Sequence, residues 1–188
     1  MRIVVAALLL AALPASALEV AGVPVSDTVQ AGGQTLVLNG AGVRKKSFLG
    51  IKVYVGALYL TQRSTDAAAV VAADAPKVLR ITMMRDVDKE SMQKAFHEGI
   101  EANSPGQGAA LAVRLKQVED SFPPEFKEKQ VLIVSYVPGQ GTTVGIEGTK
   151  TITVEGKDFA DALFRIWLGP KPSDGGLEDL KAALLTGK

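Results

Sequence analysis

The clearest pattern in the chain is Ile51–Leu60 (IKVYVGALYL), rich in β-branched and aromatic residues. It predicts a central strand with Ile51, Val53, Val55, Ala57 and Tyr59 on one face. Lys52, Tyr54, Gly56, Leu58 and Leu60 share the other, and both faces are apolar enough to be covered. A helical period appears in Met92, Ala95, Phe96, Gly99 and Ile100, one apolar stripe with Asp88 as its N-cap. Asn103-Ser104-Pro105-Gly106 ends that helix, and a second, over Gln107–Glu119, turns Leu111, Leu115 and Val118 to one side. Asp158–Leu168 predicts a further helix with Phe159, Leu163, Ile166 and Trp167 inward. The last helix runs near Leu177–Leu185.

Strands are predicted at Leu18–Val25, Thr35–Leu38, Val78–Met84, Val131–Tyr136, Thr142–Ile146 and Lys150–Val154. Gly32-Gly33 and Asn39-Gly40-Ala41-Gly42 read as turns, and Ser64-Thr65-Asp66 caps a short Ala-rich helix stopped by Pro76. The order is strands, helices, strands, helices. That is the α+β class: an antiparallel sheet with helices laid against it.

The N-terminus differs from the rest. Arg2 precedes an uncharged apolar run, Ile3–Leu13, followed by Pro14 and an Ala15-Ser16-Ala17 cleavage pattern. This predicts a secretory signal peptide over residues 1–17, cleaved after Ala17, and a periplasmic or secreted product. A run of 11 residues is too short to span a bilayer, which takes about 20 as a helix. Residues 18–188 then form a single domain with no further membrane-length segment.

Charge and composition exclude several classes. The chain holds 21 Lys and Arg against 20 Asp and Glu, and loss of Arg2 equalises them. That balance argues against nucleic acid as a partner. No cysteine and a single histidine, His97, predict no metal, no disulfide and no thiol chemistry. No cofactor is expected: Gly40-Ala41-Gly42 lacks the third glycine of a dinucleotide fingerprint and precedes a strand. Asp86, Asp88 and Glu90 read as strand-end and cap charges, and His97 as a solvated neighbour of the buried stripe. Arg44-Lys45-Lys46 is the densest positive cluster, either a bare surface loop or an anion clamp built on the forked guanidinium of Arg44.

Four segments together resemble the chalcone isomerase superfamily, in its exported bacterial branch. They are LNGAGVR at Leu38–Arg44 running into Lys52–Leu60, ITMMRDVDKESM at Ile81–Met92, YVPGQGTTV at Tyr136–Val144, and GKDFADALFRIWLG at Gly156–Gly169. The resemblance implies an open-faced β-sandwich, a large antiparallel sheet carrying a layer of helices over an apolar cleft. Plant members of the family either cyclise chalcones to flavanones or bind fatty acids.

Arg44 matches the family arginine, which holds a nucleophilic oxygen in the enzymes and a carboxylate in the binders. Tyr54 falls where the enzymes carry a threonine, Met92 where they carry a tyrosine, Gly99 where they carry an asparagine, and Ile166 where they carry a hydroxyl residue. With Phe96, these are the expected ligand-binding positions: Arg44, Tyr54, Met92, Phe96 and Gly99. No catalytic residue is assigned. The resemblance therefore implies a non-catalytic binder of a fatty acid or similar amphiphile, with Arg44 pointing into the cleft and meeting water or a hydroxyl when empty. Two alternatives stay open: an intramolecular lyase acting on a chalcone-like compound, or an accessory module whose cleft is filled by its own side chains.

Overall fold

The computed structural model describes residues 18–46 and 49–187; the expected leader, Met1–Ala17, lies outside the described residues. The elements in order are β1 (Leu18–Val20), β2 (Val23–Val25), β3 (Thr28–Ala31), β4 (Gln34–Lys46), β5 (Ile51–Leu60), α1 (Ala67–Ala72), β6 (Lys77–Met83), β7 (Val87–Asp88), α2 (Lys89–Asn103), α3 (Gly108–Asp120), β8 (Glu125–Phe126), β9 (Val131–Val137), β10 (Gly141–Ile146), β11 (Ile152–Val154), α4 (Lys157–Leu168) and α5 (Gly175–Leu184).

Seven strands form one antiparallel sheet in the order β11-β10-β9-β6-β5-β4-β3. The helices cover one face and enclose the larger core, in which α4 is buried almost all round. The sheet curls at its β3 end, so that β3 reaches β6. With the β1–β2 hairpin, the curl covers part of the opposite face over a smaller core of Leu36, Val55, Ala57, Tyr59 and Val78. This is the α+β open-faced sandwich. It explains why both faces of β5 are apolar: Leu58 and Leu60 enter one core, Ala57 and Tyr59 the other.

Two local readings change. Leu18–Val25 is a hairpin, not one strand, turning at Ala21 and Gly22, both at positive φ. Asn39–Gly42 is not a turn: it lies inside the 13-residue strand β4. Its glycines serve close approach rather than chain reversal. A Cβ on Gly40 would run into the Ala183 carbonyl of α5, and one on Gly42 into the Ala183 side chain. The helix thus lies directly on the strand backbone. Gly32-Gly33, in contrast, is the expected hairpin turn, both residues at positive φ.

Asn39 does something further. The β4–β5 register shifts between Leu38 and Gly40, the mark of a bulge. Before it, the even-numbered Leu36 and Leu38 enter the smaller core. After it, Gly40 and Gly42 face α5 and Arg44 faces the helix side, while Ala41 and Val43 take over the opposite face. A one-residue slip exchanges the two faces of a strand, so the bulge aims Arg44 toward the helices. Asn39 is fully buried and holds the bulge. Its Nδ2 donates to Ser64 O (2.9 Å) and Leu184 O (2.8 Å), and its Oδ1 accepts from Ser64 N at 2.7 Å.

Candidate functional site

A cavity of about 400 Å³ lies between the ends of β4, β5 and β6 and helices α2, α4 and α5. Its walls are largely apolar, with Val53, Ile81, Met92, Phe96, Ile166 and Leu177 among them. Its volume falls in the usual range for small-molecule sites, about 300–1,000 Å³. The cleft is not filled by the chain's own side chains.

Each wall has a local cause. Asp88 caps α2 by accepting from Ser91 N at 2.7 Å, which starts the helix where Met92 and Phe96 turn inward. Phe96 stands edge-on to Trp167 of α4, with ring centroids 5.6 Å apart, and to Phe122 at 5.3 Å. Ala95, on the expected stripe, is exposed on the helix but lines the cavity.

The polar groups gather around Arg44, which is buried. Its Nη2 donates to Asp174 Oδ2 at 2.6 Å, and its Nη1 donates to the Lys45 carbonyl. Asp174 is also the N-cap of α5, accepting from Leu177 N at 3.0 Å. Burial raises the Asp174 carboxyl, but the Arg44 hydrogen bond and the Leu177 N–H outweigh it and hold the group below the usual carboxylate range. The expected water or hydroxyl partner is therefore corrected. A carboxylate from the chain itself meets Arg44, because the start of α5 is laid against the end of β4. Gly176 makes room: a Cβ there would sit 2.7 Å from Arg44 Nη1.

Tyr54 completes the group. Trp167 Nε1 donates to Tyr54 Oη at 3.0 Å. Burial pushes the Tyr54 phenol up, against opposing pulls from the Trp167 N–H and the Arg44 charge, so it stays protonated at neutral pH.

The cavity thus brings together Arg44, Tyr54, Met92 and Phe96, with Ile166 beside them. Gly99, the fifth expected position, is not among the residues that line it. Gly99 sits where α2 crosses α4, and a Cβ there would lie 2.8 Å from Ile166 Cγ2. It is a packing residue. His97 lies outside the cavity, 61% exposed in its side chain, with Nε2 2.9 Å from the buried Glu119. Asp86 and Asp88 stand at the mouth, Asp86 on Lys127 Nζ at 3.0 Å. Among the described residues, no group of three or more His, Cys, Asp or Glu could hold a metal ion.

Two functional residues were not foreseen. Trp167 reads as plain core in the helix period, and its N–H donor role depends on a phenol 113 residues away. Asp174 was open to detection as a helix cap before Gly175-Gly176-Leu177, but nothing local pairs it with Arg44.

Fold and cavity define a class: an open-faced α+β sandwich with an apolar small-molecule cavity and one buried arginine in its wall. The chain belongs to the chalcone isomerase-like family, whose model matches residues 17–186. Among solved structures, it is similar to a fatty-acid binding protein of Arabidopsis thaliana. The identity is 16%, the TM-score is 0.56, and the match covers 84% of this chain and 95% of that one. No curated protein gives a significant sequence match.

Proposed function

We propose that the chain is an exported, non-catalytic binder of a fatty acid or similar amphiphilic carboxylate, with Arg44 as its anion clamp. One observation carries this reading: a buried guanidinium in the wall of an apolar cavity, taking a carboxylate at 2.6 Å. On this reading a ligand head takes over the place on Arg44 that Asp174 holds. Its side chain is 42% exposed, so it can turn to solvent as a ligand carboxylate takes its place. The apolar walls then receive the tail, each buried methylene contributing about 0.8 kcal/mol before ordering costs. The similarity in fold to a plant fatty-acid binding protein supports the same reading.

The lyase reading has one observation in its favour, the Tyr54 hydroxyl under the Arg44 charge. Against it, Tyr54 is held as a neutral phenol by burial, and Met92 supplies no second hydroxyl. Ring closure needs oriented donors for a developing oxyanion. Catalytic turnover of a chalcone by the purified protein would favour this reading over binding.

Export rests on the Met1–Ala17 pattern. Intact-mass measurement of the secreted or periplasmic protein is expected to give a chain starting at Leu18; a retained Met1 start would remove export from the reading.

Calorimetric titration of a long-chain fatty acid into wild type and Arg44→Ala tests the clamp. Loss of the charge-assisted bond is expected to weaken binding by about 1.5–3 kcal/mol, and Arg44→Lys to recover only part because the fork is lost. Equal affinities would remove the clamp.

A further inference from the structure

The β4–β5 hairpin end carries features that the cavity alone does not use. Large hydrophobic side chains exposed among the described residues include Leu49, at 71%, and Ile51, at 40%. Leu49 lies between the end of β4 and the start of β5, and Ile51 is the first residue of β5. Around them, Lys45, Lys46 and Lys52 are exposed, and Lys45 pairs in register with Lys52, and Lys46 with Ile51. Arg85 joins from the next strand: Met84 N donates to Val53 O at 2.9 Å, which brings the exposed Arg85 beside the start of β5.

The charges are not balanced locally. None of Lys45, Lys46, Lys52 or Arg85 makes an ion pair with a described residue. The nearby acids are engaged elsewhere: Asp174 on Arg44, Asp86 on Lys127, and Asp88 on Ser91 at the start of α2. Four cations thus ring two exposed aliphatic side chains, and Lys46, Ile51 and Arg85 also line the cavity.

We propose that this tip docks on an anionic lipid bilayer, with Leu49 and Ile51 entering the interface and the four cations on the headgroups. A surface of apolar tips ringed by Lys and Arg suits a peripheral lipid contact, in which aliphatic groups enter the headgroup boundary and cations meet anionic lipid. Lysine stems follow the apolar contact while their ammonium groups stay wet. Among the described residues, no helix is long and apolar enough to cross a membrane. The continuity of tip and cavity gives an amphiphile a path from bilayer to cavity. The docking itself does not depend on what the cavity holds.

Vesicle co-sedimentation tests it, using phosphatidylglycerol and phosphatidylcholine vesicles and no added fatty acid. All variants share the same full chain, so any contribution of Met1–Ala17 is common to every arm. Wild type is expected to pellet with phosphatidylglycerol, to lose most of that binding in high salt, and to ignore phosphatidylcholine. Lys45→Gln and Lys52→Gln are each expected to lower partition about fivefold, and Leu49→Glu at least as much, all with unchanged circular dichroism and melting. Equal pelleting of variants and wild type, or no pelleting of wild type, overturns the proposal. So does a loss of self-association in Leu49→Glu without vesicle binding, which would make the tip a contact between copies of the chain.

Discussion

Arg44 Nη2 lies 2.6 Å from Asp174 Oδ2, joining the end of β4 to the first residue before α5. The two are 130 positions apart in the chain. The contact neutralises a buried guanidinium, and an unpaired buried charge costs several kcal/mol. It also uses one carboxylate for two ends, the Arg44 guanidinium and the helix cap. The cavity's arginine is therefore stabilised by the chain itself, and under the proposed function an acidic ligand has to compete with that carboxylate.

Asn39→Ala is expected to destabilise the fold by about 2–4 kcal/mol. It removes the donor to the Ser64 and Leu184 carbonyls and the acceptor for Ser64 N, all at a fully buried side chain. The bulge that turns Arg44 to the helix side is lost with them. Urea unfolding measures the first effect, and fatty-acid titration of the surviving folded protein the second. A variant as stable as wild type would mean that the bulge is held by the glycines alone.

Gly42→Ala is expected to cost at least about 1–3 kcal/mol, the range for overpacking. The added methyl meets the Ala183 side chain, and α5 must lift from the sheet to admit it. Because α5 begins at the Asp174 cap, the same lift loosens the Arg44 contact. Gly33→Ala would test turn strain instead, since that glycine has open space but a φ of 73°. Thermal melting of both variants separates contact from conformation.

Much of this architecture is legible because neighbours in sequence carry it. The alternation in β5, the stripe in α2 and the Asp88 cap are local patterns, and the structure has all three. Asn39–Gly42 is misread for a physical reason. Glycine pairs beside asparagine usually mark turns, and only α5, some 140 residues later, explains why these sit in a strand. Gly99 is a similar case: its close neighbour is Ile166 of α4, which nothing near it in the sequence announces. The position of Arg44 in the site is legible through resemblance, but its partner Asp174 is not. Pairing across the whole domain leaves no mark in either local sequence.

Lys77 gives a pH test. It is 2% exposed, and its Nζ donates to the carbonyls of Val70, Val71 and Ala73, closing the end of α1. Burial, with help from the Lys157 charge, lowers its pKa from 10.5 to about 8. Between these values, the unfolded chain holds a proton that the folded chain has released, so stability rises with pH across that window. Relative to Lys77→Met, wild type is expected to gain up to about 3 kcal/mol between pH 8 and pH 10.5. Below pH 8 the difference between the two should be flat. Chemical denaturation at several pH values checks it; a difference that falls across the window would show that the ammonium is stabilised by its three carbonyls.

Asp174→Asn distinguishes competition at the clamp from simple burial of a tail. Asparagine caps helices about as well as aspartate, so the Leu177 N–H keeps an acceptor and α5 keeps its start. What is lost is the charge on Arg44's internal partner. If a ligand carboxylate exchanges with Asp174, removing that rival anion strengthens binding of a long-chain fatty acid, by roughly tenfold for one charge-assisted bond of about 1.5 kcal/mol. The methyl ester of the same acid carries no charge and should gain nothing. The wild-type protein has its own version of this test in pH. Asp174 titrates below the ordinary carboxylate range, so it remains an anion while free fatty acid, with its higher pKa, becomes protonated. Affinity for the acid should therefore fall with acidification earlier in wild type than the stability of the Arg44–Asp174 pair does. Calorimetry with acid and ester, on wild type and Asp174→Asn, gives the four values needed. An equal gain for acid and ester would place the effect in the apolar walls, and a loss for the acid would make Asp174 part of the ligand's binding site instead of its competitor.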